Sequence, residues 1–231
     1  MRYFGGKSRI AKQISTYINN QLRPGQPYVE PFCGACWVVA AIDSNRLRLA
    51  NDFHNDLIIM WKELQKGWIP PDVVSEELYN SLKKAEPSAL RGIVGFGCSN
   101  SGKWFGGYAR DKTGRNYAMN AKNSVLKKIA KMKDVVFSQG SYEDVQCPPN
   151  SLIYCDPPYA HTTGYTTGAF DHTKFWEWIR QKSREEHTVL VSEYVAPLDF
   201  EAVLTIPVKT DMKASNLTKI DRVEKLFKLR D

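Results

Sequence analysis

The stretch SLIYCDPPYA, residues 151–160, joins an apolar run to an acid, two prolines and a tyrosine. Proline cannot donate to a sheet ladder and pushes the preceding residue into an extended conformation, so the run predicts a buried strand that stops at Cys155. The turn that follows exposes carbonyl groups and projects the Asp156 carboxylate and the Tyr159 ring from a stiff frame. Two interpretations stay open at this point: a rigid surface turn, or a site that accepts hydrogen bonds and stacks against a ring.

Strand-like and helix-like segments alternate along most of the chain. Periodicity predicts helices at 10–22, 56–67, 74–85, 88–96, 121–132 and 173–186, and one more that begins near Ala35. Apolar runs predict strands that end at Glu30 and Asp52, and strands at 135–140, 152–155, 188–194 and 200–208. Residues 222–229 fit either a strand or a helix. The alternation predicts an α/β fold with a mostly parallel sheet, whose ligands bind at the carboxyl ends of the strands.

Three predicted strands end in unusual polar residues, which are Glu30, Asp52 and Asp156. The negative charge of Glu30, before a loop that contains Gly34, suits a cationic or amino-bearing ligand. Asp52 stands where α/β folds hold ribose hydroxyl groups. The alternatives are an ordinary strand-to-helix turn at Glu30 and a helix cap at Asp52. The loop lacks the G-x-G-x-x-G pattern, so it does not predict a pyrophosphate cradle.

The composition favours a polyanionic partner or an anionic membrane surface, because the 231-residue chain carries a net charge of +7. Its longest apolar runs are too short to span a bilayer, and its first residues lack a secretory signal, so we expect a cytoplasmic protein. Five cysteines suit reduced thiols rather than a disulfide framework. Cys33 and Cys36 form a C-x-x-C pair without a second ligand pair, so neither a metal site nor redox chemistry is predicted.

The segment 103–133 concentrates positive charge, with nine Lys or Arg against one Asp, a net charge of +8. Aromatic residues are interleaved with these cations, a combination typical of proteins that follow a phosphate backbone and contact bases. A solvated basic helix face is the alternative for Lys127, Lys128 and Lys131. We predict that the residues contacting nucleic acid are Lys103, Trp104, Tyr108, Arg110, Lys112 and Arg115.

Three motifs in this order give the chain a family resemblance: RYFGGKSR at 2–9, VEPFCGAC at 29–36 and YCDPPY at 154–159. Together they resemble the Dam-type DNA N6-adenine methyltransferases, of the D12 class with the alpha motif order, and most closely the short phage-encoded forms. The resemblance implies a Rossmann-like catalytic domain at 1–61 and 131–231. It also implies an inserted, mainly helical target-recognition domain at 62–130. The family's donor loop reads F-x-G-x-G, and Cys36 stands where the second glycine is usual.

The same resemblance implies S-adenosylmethionine as methyl donor, with no metal, and double-stranded DNA as substrate. Glu30 would take the donor amino group, Asp52 its ribose hydroxyls, and the backbone near Tyr142 would border its adenine. The implied donor-binding set is Tyr3, Gly5, Lys7, Glu30, Phe32, Gly34, Asp52, Tyr142 and Asp156. The implied catalytic set is Asp156, Pro157, Pro158 and Tyr159.

In this implied mechanism, the Asp156 carboxylate and the Pro157 carbonyl orient the adenine N6 amine. Tyr159 stacks on the base once it is flipped out of the duplex. A cytosine N4 methyltransferase, a non-catalytic DNA-binding protein on the same fold and a nicotinamide dehydrogenase are the alternatives, and the missing glycines disfavour the last. We expect a monomer or a weak dimer in the cytoplasm, the host's if the gene is carried by a phage, and GATC is a guess for its target.

Overall fold

A computed structural model describes residues 1–159, 170–208 and 222–230. In this part of the chain the helices are α1 Ala11–Gln21, α2 Asn55–Gln65, α3 Glu76–Leu82, α4 Ala89–Gly97, α5 Tyr117–Ile129 and α6 His172–Arg184. The strands are β1 Tyr28–Glu30, β2 Arg48–Asp52, β3 Val136–Gln139, β4 Leu152–Cys155, β5 Thr188–Glu193, β6 Phe200–Val208 and β7 Arg222–Leu229. Residues 222–229, left open between strand and helix, therefore form a strand.

The described strands form one sheet in the order β3-β2-β1-β4-β5-β7-β6. Strands β1 to β5 are parallel to one another, whereas β7 runs antiparallel to both β5 and β6. The strand order reverses between β1 and β4, which is the point where sheets of this kind form a crevice at the carboxyl edge. The expected α/β class with a mostly parallel, Rossmann-like sheet is confirmed.

Both faces of the sheet are covered, which explains why its central strands are continuous apolar runs. All four residues of β4 are fully buried. Leu152 and Tyr154 face one apolar cluster, with α1, α2, α4 and α5, while Ile153 and Cys155 face the other, with α6. This period of two fixes the strand register and so sets where β4 delivers Asp156.

The helix expected to begin near Ala35 is wrong, since only a short 3₁₀ turn, Val39–Ala41, follows the loop. Cys36 has a φ of 53°, in the left-handed region, which a right-handed helix cannot accommodate. The Arg48 guanidinium of β2 donates to the carbonyls of Val39 and Ile42. Tertiary contacts thus replace the helical hydrogen bonds in this segment.

The segment 62–130 packs directly on the sheet domain. The boundary between residues 61 and 62 falls within α2, and α4 lies against α2, where a Cβ added to Gly92 would be 2.4 Å from the Asp56 carbonyl oxygen. Arg91 of α4 also pairs with Asp56 at 2.7 Å. Side chains of α4 and α5 belong to the same core cluster as Leu152 of β4. The division into catalytic and recognition domains stays a prediction.

No helix within the described ranges is both long enough and apolar enough to cross a lipid bilayer.

Candidate functional site

A cavity of about 600 Å³ opens at the carboxyl edge of the sheet, next to the strand-order reversal. All nine residues predicted to bind the donor line it, and so do Pro158, Lys103 and Trp104. The remaining predicted site residues do not line this cavity; they are Pro157, Tyr159, Tyr108, Arg110, Lys112 and Arg115.

Glu30 ends β1 on the wall of the cavity and is almost fully buried. The Tyr28 hydroxyl donates to its Oε2 atom at 2.7 Å. Burial raises the pKa of Glu30 to about 8, and the nearby Asp156 and Asp52 carboxylates act in the same direction, although the bond from Tyr28 opposes them. A cation that enters the cavity beside this carboxyl group would favour its ionised form.

Asp52 ends β2 and ties the loop after β1 to the start of α2. Its Oδ2 atom accepts from the Gly34 amide at 2.7 Å, and its Oδ1 atom accepts from the His54 amide at 2.8 Å. Burial raises the pKa of Asp52 to about 6, and these two backbone bonds limit the rise. Each oxygen keeps a second acceptor position, which suits hydroxyl groups of a ligand.

The loop after β1, residues 31–38, is held by side chains from distant elements. The Asn51 amide donates to the Pro31 carbonyl at 3.1 Å, and the Trp61 indole donates to the Gly34 carbonyl at 3.0 Å. The buried ammonium of Lys128 donates to the Ala35 carbonyl. The solvated helix face, which was the alternative interpretation for Lys128, is wrong for this residue because its side chain is buried.

Gly34 meets two requirements in this loop. Its φ of 45° lies in the left-handed region, and a Cβ at this position would be 3.0 Å from the Tyr3 ring. Cys36, which replaces the usual glycine, also adopts a left-handed conformation. The loop therefore keeps the backbone conformation that glycine favours at both positions.

Aromatic side chains from the segments after β1, β2 and β3 and before α6 line the cavity. Phe32 and Tyr142 are stacked with ring centroids 5.4 Å apart, and Phe170 meets Phe32 edge-on at 5.9 Å. Phe53, directly after Asp52, lines the cavity and is 57% exposed. Phe53 was not predicted as a site residue from the sequence. Its position directly after Asp52, the acid that ends β2, was the signal that could have identified it.

The turn after β4 brings Asp156 against Lys7 from the amino-terminal motif. Lys7 Nζ lies 2.7 Å from Asp156 Oδ1 and 3.6 Å from Glu224 Oε1. Burial raises the pKa of Asp156, and Lys7 opposes that rise. Burial alone would lower the pKa of Lys7, but the Asp156 and Glu224 carboxylates outweigh it and the pKa is raised. Lys7 is therefore charged and neutralises a carboxylate beside the cavity.

Tyr159 is held on several sides. Its hydroxyl donates to Glu224, the Lys7 ammonium lies 4.4 Å from its ring centroid, and Tyr194 packs perpendicular to it at 4.8 Å. Glu224, near the start of β7, was missed by sequence reasoning. An acid on the inward face of a strand could have identified Glu224, but that face is known only once the pairing of β7 is known.

The predicted nucleic-acid contacts are divided between the cavity and the surface. Lys103 is exposed at the cavity mouth and lies over the Phe4 ring at 4.8 Å. Trp104 packs edge-on against His54 at 4.2 Å, and the Tyr108 hydroxyl donates to the Val74 carbonyl at 2.7 Å. Packing therefore accounts for part of the aromatic content that suggested base stacking.

Several cations of the basic segment are paired with acids. Arg110 contacts Glu76, Lys122 lies 2.6 Å from Asp72, and Arg115 lies 3.7 Å from Asp111. Glu76 and Asp72 lie outside 103–133, so the local field is weaker than the count of +8 implies. Lys112 is exposed, together with Lys127, Lys131 and Lys133.

Comparisons with solved structures found low similarity to several methyltransferases. A candidate methyltransferase solved with SAH matches at 10% identity and a TM-score of 0.37, over 97% of this chain and 53% of that one. Precorrin-6y C5,15-methyltransferase from Geobacter metallireducens GS-15 matches at 8% and 0.42, over 100% and 94%. A candidate rRNA methylase from Clostridium thermocellum matches at 10% and 0.39, over 95% and 96%. The chain spans about half the length of the first of these proteins.

A search of curated proteins found no significant match. The profile of one protein family, D12 class N6 adenine-specific DNA methyltransferase, matches residues 3–92 and 99–225. These ranges contain the residues on which the sequence resemblance rests, from Tyr3 to Lys7, from Glu30 to Gly34 and from Asp156 to Tyr159. The expected resemblance is confirmed, and the chain belongs to the D12 class N6 adenine-specific DNA methyltransferase family.

Proposed function

We propose that this protein transfers a methyl group from S-adenosylmethionine to N6 of adenine in double-stranded DNA, after flipping the base out of the helix. One observation carries the proposal. The Lys7–Asp156 pair, with its 2.7 Å contact, borders the same cavity as the strand-end acids Glu30 and Asp52. Asp156, the proposed acceptor for the adenine amine, therefore borders the same cavity as Glu30 and Asp52, the proposed partners of the donor's amino group and ribose.

The residues around the cavity fit S-adenosylmethionine. Glu30 would take the amino group, since a buried carboxyl with a raised pKa gains most from a cationic partner. Asp52 would accept from the ribose hydroxyls with its remaining acceptor positions. Phe53 and Phe32 offer apolar ring surfaces for the adenine, next to the backbone at Ser141 and Tyr142. When bound, the donor supplies an electrophilic methyl group on a sulfonium.

Asp156 and the Pro157 carbonyl would act on the adenine. The N6 lone pair is delocalised into the ring, so the amine is a poor nucleophile. Two acceptors that take both N–H groups would reduce the conjugation of the lone pair with the ring and direct it at the methyl group of the donor. Lys7 would keep Asp156 ionised as an acceptor, because it opposes the effect of burial on the pKa of that carboxyl group. The amine must lose one proton on methylation, and the Asp156 carboxylate is the nearest proposed acceptor.

Base flipping would be supported by Tyr159. Unpairing and unstacking cost a few kcal/mol, and stacking on an aromatic ring returns roughly 1–3 kcal/mol. Lys7 lies over one face of the Tyr159 ring, so we assign the opposite face to the base. Pro158, which lines the cavity, would border the base with it.

DNA would approach the cavity mouth, where Lys103 is exposed. We assign backbone contacts to Lys103, Lys112, Arg110 and Arg115, the last two after exchange of their acidic partners for phosphate. Trp104 and Tyr108 would shape this surface.

The segment 62–130 would form the recognition domain. The enzyme would act as a monomer or weak dimer in the cytoplasm.

A methylation assay tests the proposal. The protein is incubated with S-adenosylmethionine and duplex DNA that contains all short sequence contexts, and modified bases are mapped one by one. N6-methyladenine at a defined sequence is expected. N4-methylcytosine, or no modification with donor bound, would overturn it.

A further inference from the structure

Glu224 is a buried carboxyl group near the start of β7, and burial is costly for an acid. It is 4% exposed and shares the inward face of β7 with Leu226, an apolar core residue. A buried acid that served only packing would be replaced at a gain by an apolar side chain of similar size. The contacts of Glu224 therefore call for a reason other than stability.

These contacts connect Glu224 to the turn after β4, residues 156–159, directly at Tyr159 and through Lys7 at Asp156. The carboxyl oxygen Oε1 accepts the Tyr159 hydroxyl and lies 3.6 Å from Lys7 Nζ. Lys7 in turn contacts Asp156 Oδ1 at 2.7 Å. One oxygen of Glu224 thus touches both the ring proposed to stack on the base and the cation that orients the proposed amine acceptor.

The strand that carries Glu224 is a firm support. Strand β7 pairs with β6 from Arg222 to Leu229 and with β5 from Lys225 to Phe227, and Glu224 pairs in register with Ile206 of β6. Tyr159, by contrast, lies beyond the end of β4, in a segment without ladder hydrogen bonds. The hydrogen bond from the Tyr159 hydroxyl to Glu224 therefore fixes the ring relative to the sheet.

We propose that Glu224 is a positioning residue: it fixes the ring plane of Tyr159 and, through Lys7, the orientation of the Asp156 carboxylate. The inference rests on the proposed adenine methyl transfer. It assigns no contact with the donor or the base to Glu224. Its effect is therefore expected in kcat and not in donor affinity.

The test compares Glu224→Gln, Glu224→Ala, Tyr159→Phe and the double variant Glu224→Ala/Tyr159→Phe in the full chain. Glutamine keeps an acceptor for the Tyr159 hydroxyl, whereas alanine removes it. We expect kcat to fall about tenfold for Glu224→Gln and about a hundredfold for Glu224→Ala, the size of loss that a misplaced group causes. The dissociation constant for S-adenosylmethionine, from calorimetry, should not change.

The double variant separates positioning from a general loss of structure. Because either change already breaks the Glu224–Tyr159 contact, the two losses should not multiply. Glu201→Gln makes the same chemical change at an exposed position of β6 and should behave as the wild type. Multiplied losses, a Glu224→Ala variant with wild-type kcat, or equal loss in both Glu224 variants would overturn the inference.

Failure of the proposed function would look different. A wild-type protein that binds the donor but methylates no adenine overturns the methyl-transfer proposal. The Glu224–Tyr159 contact can then be tested by thermal unfolding of the same four variants. Non-additive changes in the melting temperature support a coupled Glu224–Tyr159 pair, and additive changes refute it. If Glu224→Ala does not fold, the double variant Glu224→Gln/Tyr159→Phe replaces it in the cycle, because glutamine exchanges the charged acceptor of the Tyr159 hydroxyl for a neutral one.

Discussion

Lys7 and Asp156 are 149 positions apart in the sequence, and their charged atoms are 2.7 Å apart. The first precedes α1, and the second follows β4. The pair joins the amino-terminal motif to the turn after β4, so that a cation stands beside the carboxylate that would receive the N6 amine. Neither motif alone predicts this contact.

Replacing Lys7 with Met should move the acid limb of the kcat–pH profile to higher pH. The pKa of Asp156 is raised by burial and held down by Lys7, so loss of the ammonium raises it further. The ionised carboxylate is the form that accepts N–H groups, and a higher pKa reduces its share at neutral pH. Lys12→Met, an exposed change on α1, is the control. An unshifted acid limb in Lys7→Met would remove this role from Lys7.

Donor binding should release a proton at Glu30. The pKa of this carboxyl is about 8 in the free protein, so Glu30 is mostly protonated at pH 7 and becomes ionised beside the donor ammonium. Calorimetry in buffers of different ionisation heat should show release of about one proton per donor bound at pH 7, and affinity that rises from pH 6 to pH 8. Glu30→Gln should bind weakly and without proton release. Wild-type binding without proton release would contradict the assignment of the amino group to Glu30.

The same carboxyl should lower stability at high pH. Its pKa is raised from 4.5 to about 8 on folding, so the folded protein keeps a proton that the unfolded chain has released. The free energy of unfolding therefore falls as pH rises through this window. We expect the free energy of unfolding of Glu30→Gln, relative to the wild type, to gain on the order of 4 kcal/mol between pH 4.5 and pH 8. Equal pH slopes in chemical unfolding of the two proteins would refute this.

Lys128 should act on donor affinity through the loop at 31–38. Its ammonium donates to the Ala35 carbonyl and lies 4.0 Å from the Trp37 ring centroid. Lys128→Met removes the donor and should weaken S-adenosylmethionine binding about tenfold, because the loop loses a charge-assisted bond. Lys127→Met, an exposed change one residue away, is the matched control. Equal affinities of the two variants would show that Lys128 does not support the loop.

Lys103 should contribute one phosphate contact at the cavity mouth. Lys103→Gln is expected to weaken DNA binding and to reduce the slope of log K against log salt by about 0.9, the value for one released counterion. Lys66→Gln provides an exposed lysine that does not line the cavity. The paired Arg110 and Arg115 should give smaller changes in slope. A salt slope unaffected by Lys103→Gln would show that the DNA backbone does not contact Lys103 at the cavity mouth.

Most of the sheet could be predicted because its strands are short apolar runs closed by turn residues. Asp156 and Glu30 could be located for the same reason, since a parallel sheet brings the carboxyl ends of its strands to one edge. The helix expected at Ala35 was wrong because Arg48 and Cys36 determine that segment through tertiary contacts and backbone conformation. Local sequence does not carry this information.

Contacts between distant segments explain the other differences. Lys128 resembles its exposed neighbours in sequence, and only the fold of α5 against the loop at 31–38 buries it. Glu224 stands in a strand that also contains Arg222, Lys225 and Lys228, and its inward direction depends on the register with β6. Trp104 and Tyr108 were expected on the surface, but the loop that carries them folds back on α3 and α4.

The most direct test compares wild type and Asp156→Ala in per-base mapping of modified adenines, with DNA binding measured in parallel. If Asp156 receives the amine, the wild type should produce N6-methyladenine at a defined duplex sequence. Asp156→Ala should produce none while binding the same duplex with similar affinity. Methylation by Asp156→Ala at a rate near that of the wild type would contradict the account.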